Sequence, residues 1–507
     1  MNIADRLRDS ARRLPDKPAL RYQGQCVPYA ELDAKVDRAA AAFTDLGLRQ
    51  GDRVGLLLGN SPHFVEACYG ALRAGMVAVP LNTDLSAEEI AYILGDAGAR
   101  ALVVGEAFYP TVLGIAEGLP NLEDVVVAGA SAPPVGAQTW RQLLDAAPDG
   151  LGGRAHGARD DGGDALALLQ YTSGTTGRPK GAMLRHANLL ANQDQMRGTR
   201  LELFEWDVTL SVLPLFHIYG LNVGLALPLS VGASVVLVER FDPVDTLEQV
   251  IAARVTVIVG VPPVYIAWGC VPGIERYDLS SVRLALSGAA PLPREALRRF
   301  MQDLGVPLWE GYGLTETSPV LTSAAMDSKP RPGSVGRPLR GVALQLVDDH
   351  GRPVREGDLG EVVVRGPNVF SGYWNAQAAT AEAIDEDGWF HTGDIGYLAD
   401  GALYLVDRKS DLIIVNGFNV YPREVEDVLR RHPKVADAAV VGTPHPYTGE
   451  SVKAVVVLRE GEEATAEEIV RFCGRWIARF KCPAVVEFVP ELPHAPIGKV
   501  KRRQLKG

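Results

Sequence analysis

Short apolar runs alternate along most of the chain with longer stretches whose apolar positions recur every three to four residues. The runs RVGLLL (53–58), ALVVG (101–105), DVVVAG (124–129), SVVLVE (234–239), VTVIVG (255–260) and LALSG (284–288) have the length and branched content of strands buried on both faces. YAELDAKVDRAAAAFTDLG (29–47) and SPHFVEACYGALRAG (61–75) carry the helical period. The alternation predicts an α/β fold, with helices covering largely parallel sheets. No repeat of fixed period interrupts it.

From about residue 342 the texture changes to VALQLVDDHGRPV, GEVVVRG and GALYLVDR, short runs joined by Gly and Asp turns, which predict an antiparallel β subdomain. After DRKSD (407–411) come LIIV, PREVEDVLRRH, AAVVG, VKAVVVL and TAEEIVRFCGRWIARF, read as strand, helix, strand, strand and helix. The expected organisation is a large domain over 1–407, a polar hinge at 408–410 and a small mobile α+β domain over 411–507. APDGLGGRAHGARDDGGD (147–164) is Gly- and Asp-rich and reads as a mobile surface loop. VTVIVGVPPVYIAWGCV (255–271) is broken by Gly260 and Pro262-Pro263 and is short for a bilayer, so a buried strand followed by a loop is expected there.

Composition narrows the function. Fifty-one Lys and Arg against 62 Asp and Glu give 507 residues a formal net charge of −11, poor for nucleic-acid binding but compatible with a local site for a small anion. Cys26, Cys68, Cys270, Cys473 and Cys482 form no CxxC pair, and reduced, mostly buried thiols are expected. With no apolar leader in MNIADRLRDSARRLPDK, the expected location is the cytoplasm.

The densest chemical signal is YTSGTTGRPKGAM (171–183), which follows strand-like ALALLQY and precedes helical HANLLANQDQM (186–196). Strand, glycine-rich loop and helix suit an anion: glycines let backbone N–H groups converge, Thr172, Ser173, Thr175 and Thr176 add hydroxyls, and Lys180 adds charge. It is not the nucleoside-triphosphatase P-loop, because only two residues separate Gly174 from Gly177 and Gly181 follows Lys180. The stretch resembles the phosphate loop of the adenylate-forming superfamily, which comprises acyl-CoA synthetases, luciferases and peptide-synthetase adenylation domains.

Further motifs carry the same resemblance in order along the chain. SVLPLFHIYG (211–220) places His217 among apolar residues, and in the resembling family such a histidine sits beside the bound carboxylate. LSGAAPLP (286–293) offers Gly288, Ala289 and Ala290, small enough for a flat ring to lie on backbone, and is similar to the family's adenine-binding segment. GYGLTET (311–317) supplies an aromatic plate at Tyr312, a hydroxyl at Thr315 and a hard carboxylate at Glu316; Mg²⁺ takes one or two such oxygens, and Thr172 is a second candidate ligand. Glu310, Gly311 and Gly313 belong to the same implied nucleotide site. WFHTGDIG (389–396) and YLVDRKSD (404–411) give Asp394 and Arg408, the implied ribose contacts. LPHAPIGKVKRRQL (492–505) places Lys499 where the family carries its catalytic lysine.

The resemblance implies a two-step ligase using ATP, Mg²⁺ and coenzyme A, with Lys499, His217, Glu316 and Lys180 as its catalytic groups. It also implies a swing of the small domain about the hinge and a pantetheine channel past Gly417 and Phe418 in NGFNVYPREVE (416–426). Many relatives carry Asp or Lys two residues after the hinge arginine, where this chain has Ser410. The expected acyl pocket is lined by Tyr219, Leu221, Asn222, Val223, Val261, Pro262 and Tyr265 with the strand end at 286–290. Neither VGVPPVYIAWG nor LALSGAA holds a basic residue, so a second carboxylate would be costly there and an apolar monocarboxylate is expected. GFNVYP and DRKSDLIIV are most similar to bacterial fatty acyl-CoA ligases, pointing to medium- or long-chain fatty acids. An aryl acid, an enzyme loading a free-standing carrier protein, and a non-catalytic nucleotide-binding regulator are the alternatives. Monomer and homodimer remain equally open.

Overall fold

The computed structural model describes residues 1–132, 137–147, 163–172, 178–292, 294–415, 418–445, 449–494 and 500–506. They divide into two compact units, one comprising Met1–Pro332, Gly336–Ala343 and Arg365–Phe390, the other Gly333–Val335, Leu344–Val364 and His391–Gly507. The expected hinge at 408–410 falls within the second.

The first unit is mixed α/β, built on two sheets. One runs in the order Gln138–Thr139, Asp124–Ala128, Ala99–Gly105, Arg53–Leu57, Val77–Pro80, Leu166–Thr172 and Lys180–Arg185, with the last pair antiparallel and the rest parallel. The other has a parallel core of Leu308–Gly313, Leu284–Ser287, Val257–Gly260, Val208–Ser211, Ser234–Leu237 and Pro18–Tyr22. Antiparallel strands extend it: Val320–Ser323 and Arg337–Pro338 at one edge, Gln25–Pro28 at the other. All six predicted strands lie in these two sheets, and helices Tyr29–Asp45 and Pro62–Arg73 stand where the period placed them. Ser61 caps the second helix by accepting from the Phe64 N–H, and Pro62 occupies its first position, where no N–H is needed.

Two expectations fail here for local reasons. Prolines 262 and 263 do not open a loop; they start helix Pro262–Gly269, because proline suits a helix's first turn. Its Tyr265 and Trp268 pack on Phe300, with Tyr265 edge-on at 5.0 Å between ring centres. Likewise the glycine-rich loop does not run into a helix. GAMLR extends as strand Lys180–Arg185, so the loop joins two antiparallel strands and helix His186–Gln195 begins only after the second.

The second unit holds a four-stranded sheet in the order Ala343–Val347, Gly360–Arg365, Phe390–Ala399 and Ala402–Arg408, whose last two strands are antiparallel as expected. It also holds a five-stranded sheet centred on the long antiparallel pair Val435–His445 and Gly449–Leu458. Helix Pro422–Leu429 packs on that sheet, with Val425 and Leu429 fully buried. The last predicted helix is shorter than its apolar pattern: it spans Ala466–Cys473 and stops at Gly474, leaving Trp476 59% exposed. The cysteines also differ from expectation, since only Cys68 and Cys473 are buried whereas Cys26 and Cys270 are exposed; all five are free thiols. Among the described residues, no helix is long and apolar enough to cross a membrane. Residues 148–162 of the loop expected to be mobile lie outside the described residues.

Candidate active site

Ser173, Gly174, Thr175, Thr176 and Gly177 lie outside the described residues, but both ends of their loop are placed. Thr172 ends its strand directly opposite Lys180. The Tyr171 hydroxyl donates to Asp96 Oδ2 at 2.6 Å, and its ring fills the space beside Gly181, where a Cβ would come within 3.1 Å. Bulk at Gly181 would therefore push on the strand that carries the lysine.

The run FSGYW (370–374) is laid along the same strand. Ser371 donates to Met183 O, Met183 to Gly372 O, and Trp374 to Gly181 O, all at 2.8–3.0 Å. At the head of this run the Phe370 N–H donates to Glu316 O at 2.8 Å. The pairing brings Tyr373 between two predicted site residues. Lys180 Nζ stands 5.4 Å from the centre of its ring, and its hydroxyl donates to Glu316 Oε1 at 2.9 Å. Glu316 is only 8% exposed, in the 3₁₀ turn Thr315–Thr317. A cation on a ring face and a carboxylate at its hydroxyl are both favourable, so one tyrosine fixes a separated charge pair. Nothing in the glycine loop or in GYGLTET announced Tyr373; the aromatic density of FSGYW was the available signal.

His217 lies in the turn between strand Val208–Ser211 and the π-helix Tyr219–Ala226. Its Nδ1 accepts the Tyr219 N–H at 3.2 Å, which leaves the proton of a neutral ring on Nε2. Gly220 is required below it, since a Cβ would fall 2.4 Å from Pro214 O. Gln170 Nε2 donates to Phe216 O at 2.7 Å, tying strand Leu166–Thr172 to the residue before the histidine.

The expected acyl and adenine residues meet at the carboxyl ends of the second sheet, where open α/β sheets place ligands. Leu221, Val261 and Tyr265 are buried, with Pro262 at the start of the helix below them. Tyr219 lies against Gly288, where a Cβ would come within 3.1 Å of the ring, and the Tyr265 hydroxyl donates to Leu286 O. Burial holds both phenols above their ordinary pKa, hence neutral. Gly288 is buried, Ala289 is exposed at φ +66° and Ala290 is half-buried. That left-handed alanine costs about 1 kcal/mol or more in an ordinary loop. The buried Glu310 carboxylate secures the far side of the turn by accepting from the Leu292 N–H at 3.3 Å. In the neighbouring strand, a Cβ at Gly313 would overlap Pro319 O at 1.7 Å, while Gly311, Tyr312 and Thr315 are half-buried. Asn222 is 1% exposed and engaged in structure: Nδ2 donates to Ser318 O and Leu189 O, and Oδ1 accepts from Gln193 Nε2.

In the second unit Asp394 and Arg408 are direct cross-strand partners, with Arg408 Nε 3.1 Å from Asp394 Oδ1. The neighbouring Glu361, which the motifs did not reveal, receives the Gly393 N–H at 3.3 Å and pairs with Lys409 Nζ at 3.0 Å. Ser410 sits in the 3₁₀ turn Lys409–Asp411. Phe418 is 58% exposed and packs at a tilt against Phe480, 4.9 Å between ring centres, whereas Gly417 and Lys499 lie outside the described residues.

Among the described residues, no group of three or more His, Cys, Asp or Glu side chains could hold a metal alone. One buried carboxylate at Glu316, with Thr172 at a strand end, does fit Mg²⁺, which draws most of its oxygens from phosphate and water.

The family model for AMP-binding enzymes matches residues 7–374, and that for the AMP-binding enzyme C-terminal domain matches 424–499. A long-chain-fatty-acid–CoA ligase of Bacillus subtilis (strain 168) is 34% identical over 524 residues, covering 98% of this chain and 93% of its own. A feruloyl-CoA synthase of an Amycolatopsis species is 38% identical over 498 residues, covering 98% and 96%. Among solved structures, ATP-bound MatB from Rhodopseudomonas palustris superposes with a TM-score of 0.90 at 33% identity, covering 100% of this chain and 98% of that one.

Proposed function

The chain belongs to the AMP-binding enzyme family, and from that premise we propose an ATP-dependent, AMP-forming acid–thiol ligase that makes acyl-CoA. The observation that carries the reading is the Lys180–Tyr373–Glu316 constellation at the mouth of the glycine loop. A carboxylate oxygen of the acid attacks the α-phosphorus of ATP, and the bond to pyrophosphate breaks. The thiol sulfur of coenzyme A then attacks the acyl carbon, the carbonyl–phosphate bond breaks, AMP leaves and the thiol proton passes to solvent.

The first step drives one anion onto another, so its barrier is set by charge neutralisation and alignment. Lys180 and the loop hydroxyls hold the departing pyrophosphate half. Glu316, with Thr172, would hold Mg²⁺, which when bound offsets phosphate charge. His217 presents its ring N–H to the acid's carboxylate; Gly288, Ala289 and Ala290 bed the adenine, and Asp394 and Arg408 hold the ribose. Lys499 serves the first step and withdraws for the second as the 411–507 domain turns about 408–410, opening a path past Gly417 and Phe418.

The acid is an apolar monocarboxylate, and a medium- or long-chain fatty acid is the principal reading. The 38% identical feruloyl-CoA synthase supports an aryl acid as the second. Pyrophosphate release measured across fatty and aryl acids, with CoA or with a carrier protein as acceptor, decides among them. Release with one acid class and acyl-CoA as product is expected. No release with any acid, or product only on carrier protein, would remove the acyl-CoA ligase reading.

A further inference from the structure

The segment after Lys499 is tied down at an unusual place. His494 and Val500 form an antiparallel bridge and the Lys501 N–H donates to Pro493 O at 2.8 Å, so residues 493–494 are held against 500–501. Leu492, Leu505 and Val500 then pack with Ala439, Val441 and Val455 in a small apolar cluster of their own. Lys453 Nζ adds a hydrogen bond to Leu505 O at 3.0 Å, so this anchoring stands without Arg502.

Arg502 nevertheless reaches three carboxylates. Its Nη1 lies 2.8 Å from Asp411 Oδ2 and 3.5 Å from Asp407 Oδ1, and its Nη2 lies 2.8 Å from Glu426 Oε1. Asp407 and Glu426 side chains are only 3% and 6% exposed, so solvent cannot stand in for the guanidinium. Both acids are also built into the backbone: Asp407 accepts the N–H groups of Arg408 and Arg423, and Glu426 accepts that of Val440. Burial raises the Asp407 carboxyl above its ordinary range even beside the arginine, a sign of how much that charge depends on a partner.

The partners' positions in the chain give the cluster its meaning. Asp407 precedes residues 408–410, Asp411 follows them, and Arg502 stands three residues after Lys499. Rotation within 408–410 changes the separation of Asp407 from Asp411, so one guanidinium can hold both only over a narrow range of settings. We infer that Arg502 is a positioning residue for acyl-adenylate formation, clasping the base of the Lys499 loop to both sides of the hinge segment. The inference rests on the two-step reading above.

The test uses the full-length enzyme and its two half-reactions separately: acid-dependent ATP–pyrophosphate exchange, and thioester formation from preformed acyl-adenylate and CoA. Arg502→Gln is expected to lower exchange at least about tenfold while thioester formation stays within about threefold, since small misplacements of a reacting group are costly. Arg502→Lys restores part of the exchange, and Arg502→Gln with Asp411→Asn is no worse than Arg502→Gln alone, because the two groups act through one contact. An equal fall in both half-reactions, a larger fall in thioester formation, or unchanged exchange overturns the inference. Should Arg502→Gln fail to fold, Arg502→Lys and Asp411→Asn must show the same imbalance for the inference to stand. Wild-type enzyme without exchange would instead sink the two-step reading itself.

Discussion

Tyr373 uses its ring face and its hydroxyl for opposite charges, so the two functions can be separated by mutation. Tyr373→Phe keeps the face under Lys180 but removes the donor to Glu316 Oε1. Pyrophosphate exchange is expected to fall about tenfold, the order of one lost charge-assisted contact that positions a catalytic group, and Glu316→Gln to fall further. Thioester formation from acyl-adenylate serves as the control; if Tyr373→Phe left exchange untouched, the tyrosine would not be positioning the acid. Lys180, Glu316, Asp394 and Arg408 could be proposed from the sequence because each sits in a compact motif of distinctive composition. Tyr373, Glu361 and Arg502 were not, since each acquires its partner only when segments distant in sequence are paired.

The π-helix Tyr219–Ala226 shows how an element can be set by a single strut. Asn222 there joins the backbone of Leu189 and Ser318 to the side chain of Gln193. Asn222→Ala leaves two carbonyls and an amide without it, and a stability loss of about 2–4 kcal/mol is expected. A lowered thermal midpoint would register it, and an unchanged midpoint would show that neighbouring groups replace the asparagine. Strands buried on both faces were the most legible elements, because continuous apolar runs leave few alternatives. The glycine loop misled for the opposite reason: GAMLR is short and carries no period, and its strand forms because it has Leu166–Thr172 on one side and FSGYW on the other. The last helix was overestimated because apolar period alone does not see Gly474.

For the whole molecule, the proposed alternation of the 411–507 domain makes the half-reactions separable at two residues. Lys499→Ala is expected to reduce acyl-adenylate formation by at least about a hundredfold while sparing thioester formation, and a bulky residue at Gly417 to do the reverse. Single-turnover measurement of each half-reaction checks both; equal losses in either variant would argue against alternation. The fold class was plain from the order of runs, yet sheet membership was not. Strand Pro18–Tyr22 joins the second sheet, beside Ser234–Leu237, and not the sheet built from the residues that follow it. That placement has a consequence for biosynthesis. Leu20 faces Val235, and at about 5–20 residues per second the ribosome delivers the partner roughly 10–40 s after the strand itself. Through that interval Ala19 and Leu20, fully buried in the finished protein, have Gln25–Pro28 beside them but not Ser234–Leu237, and charges such as those of Lys17 and Arg21 on either side disfavour pairing with other apolar segments.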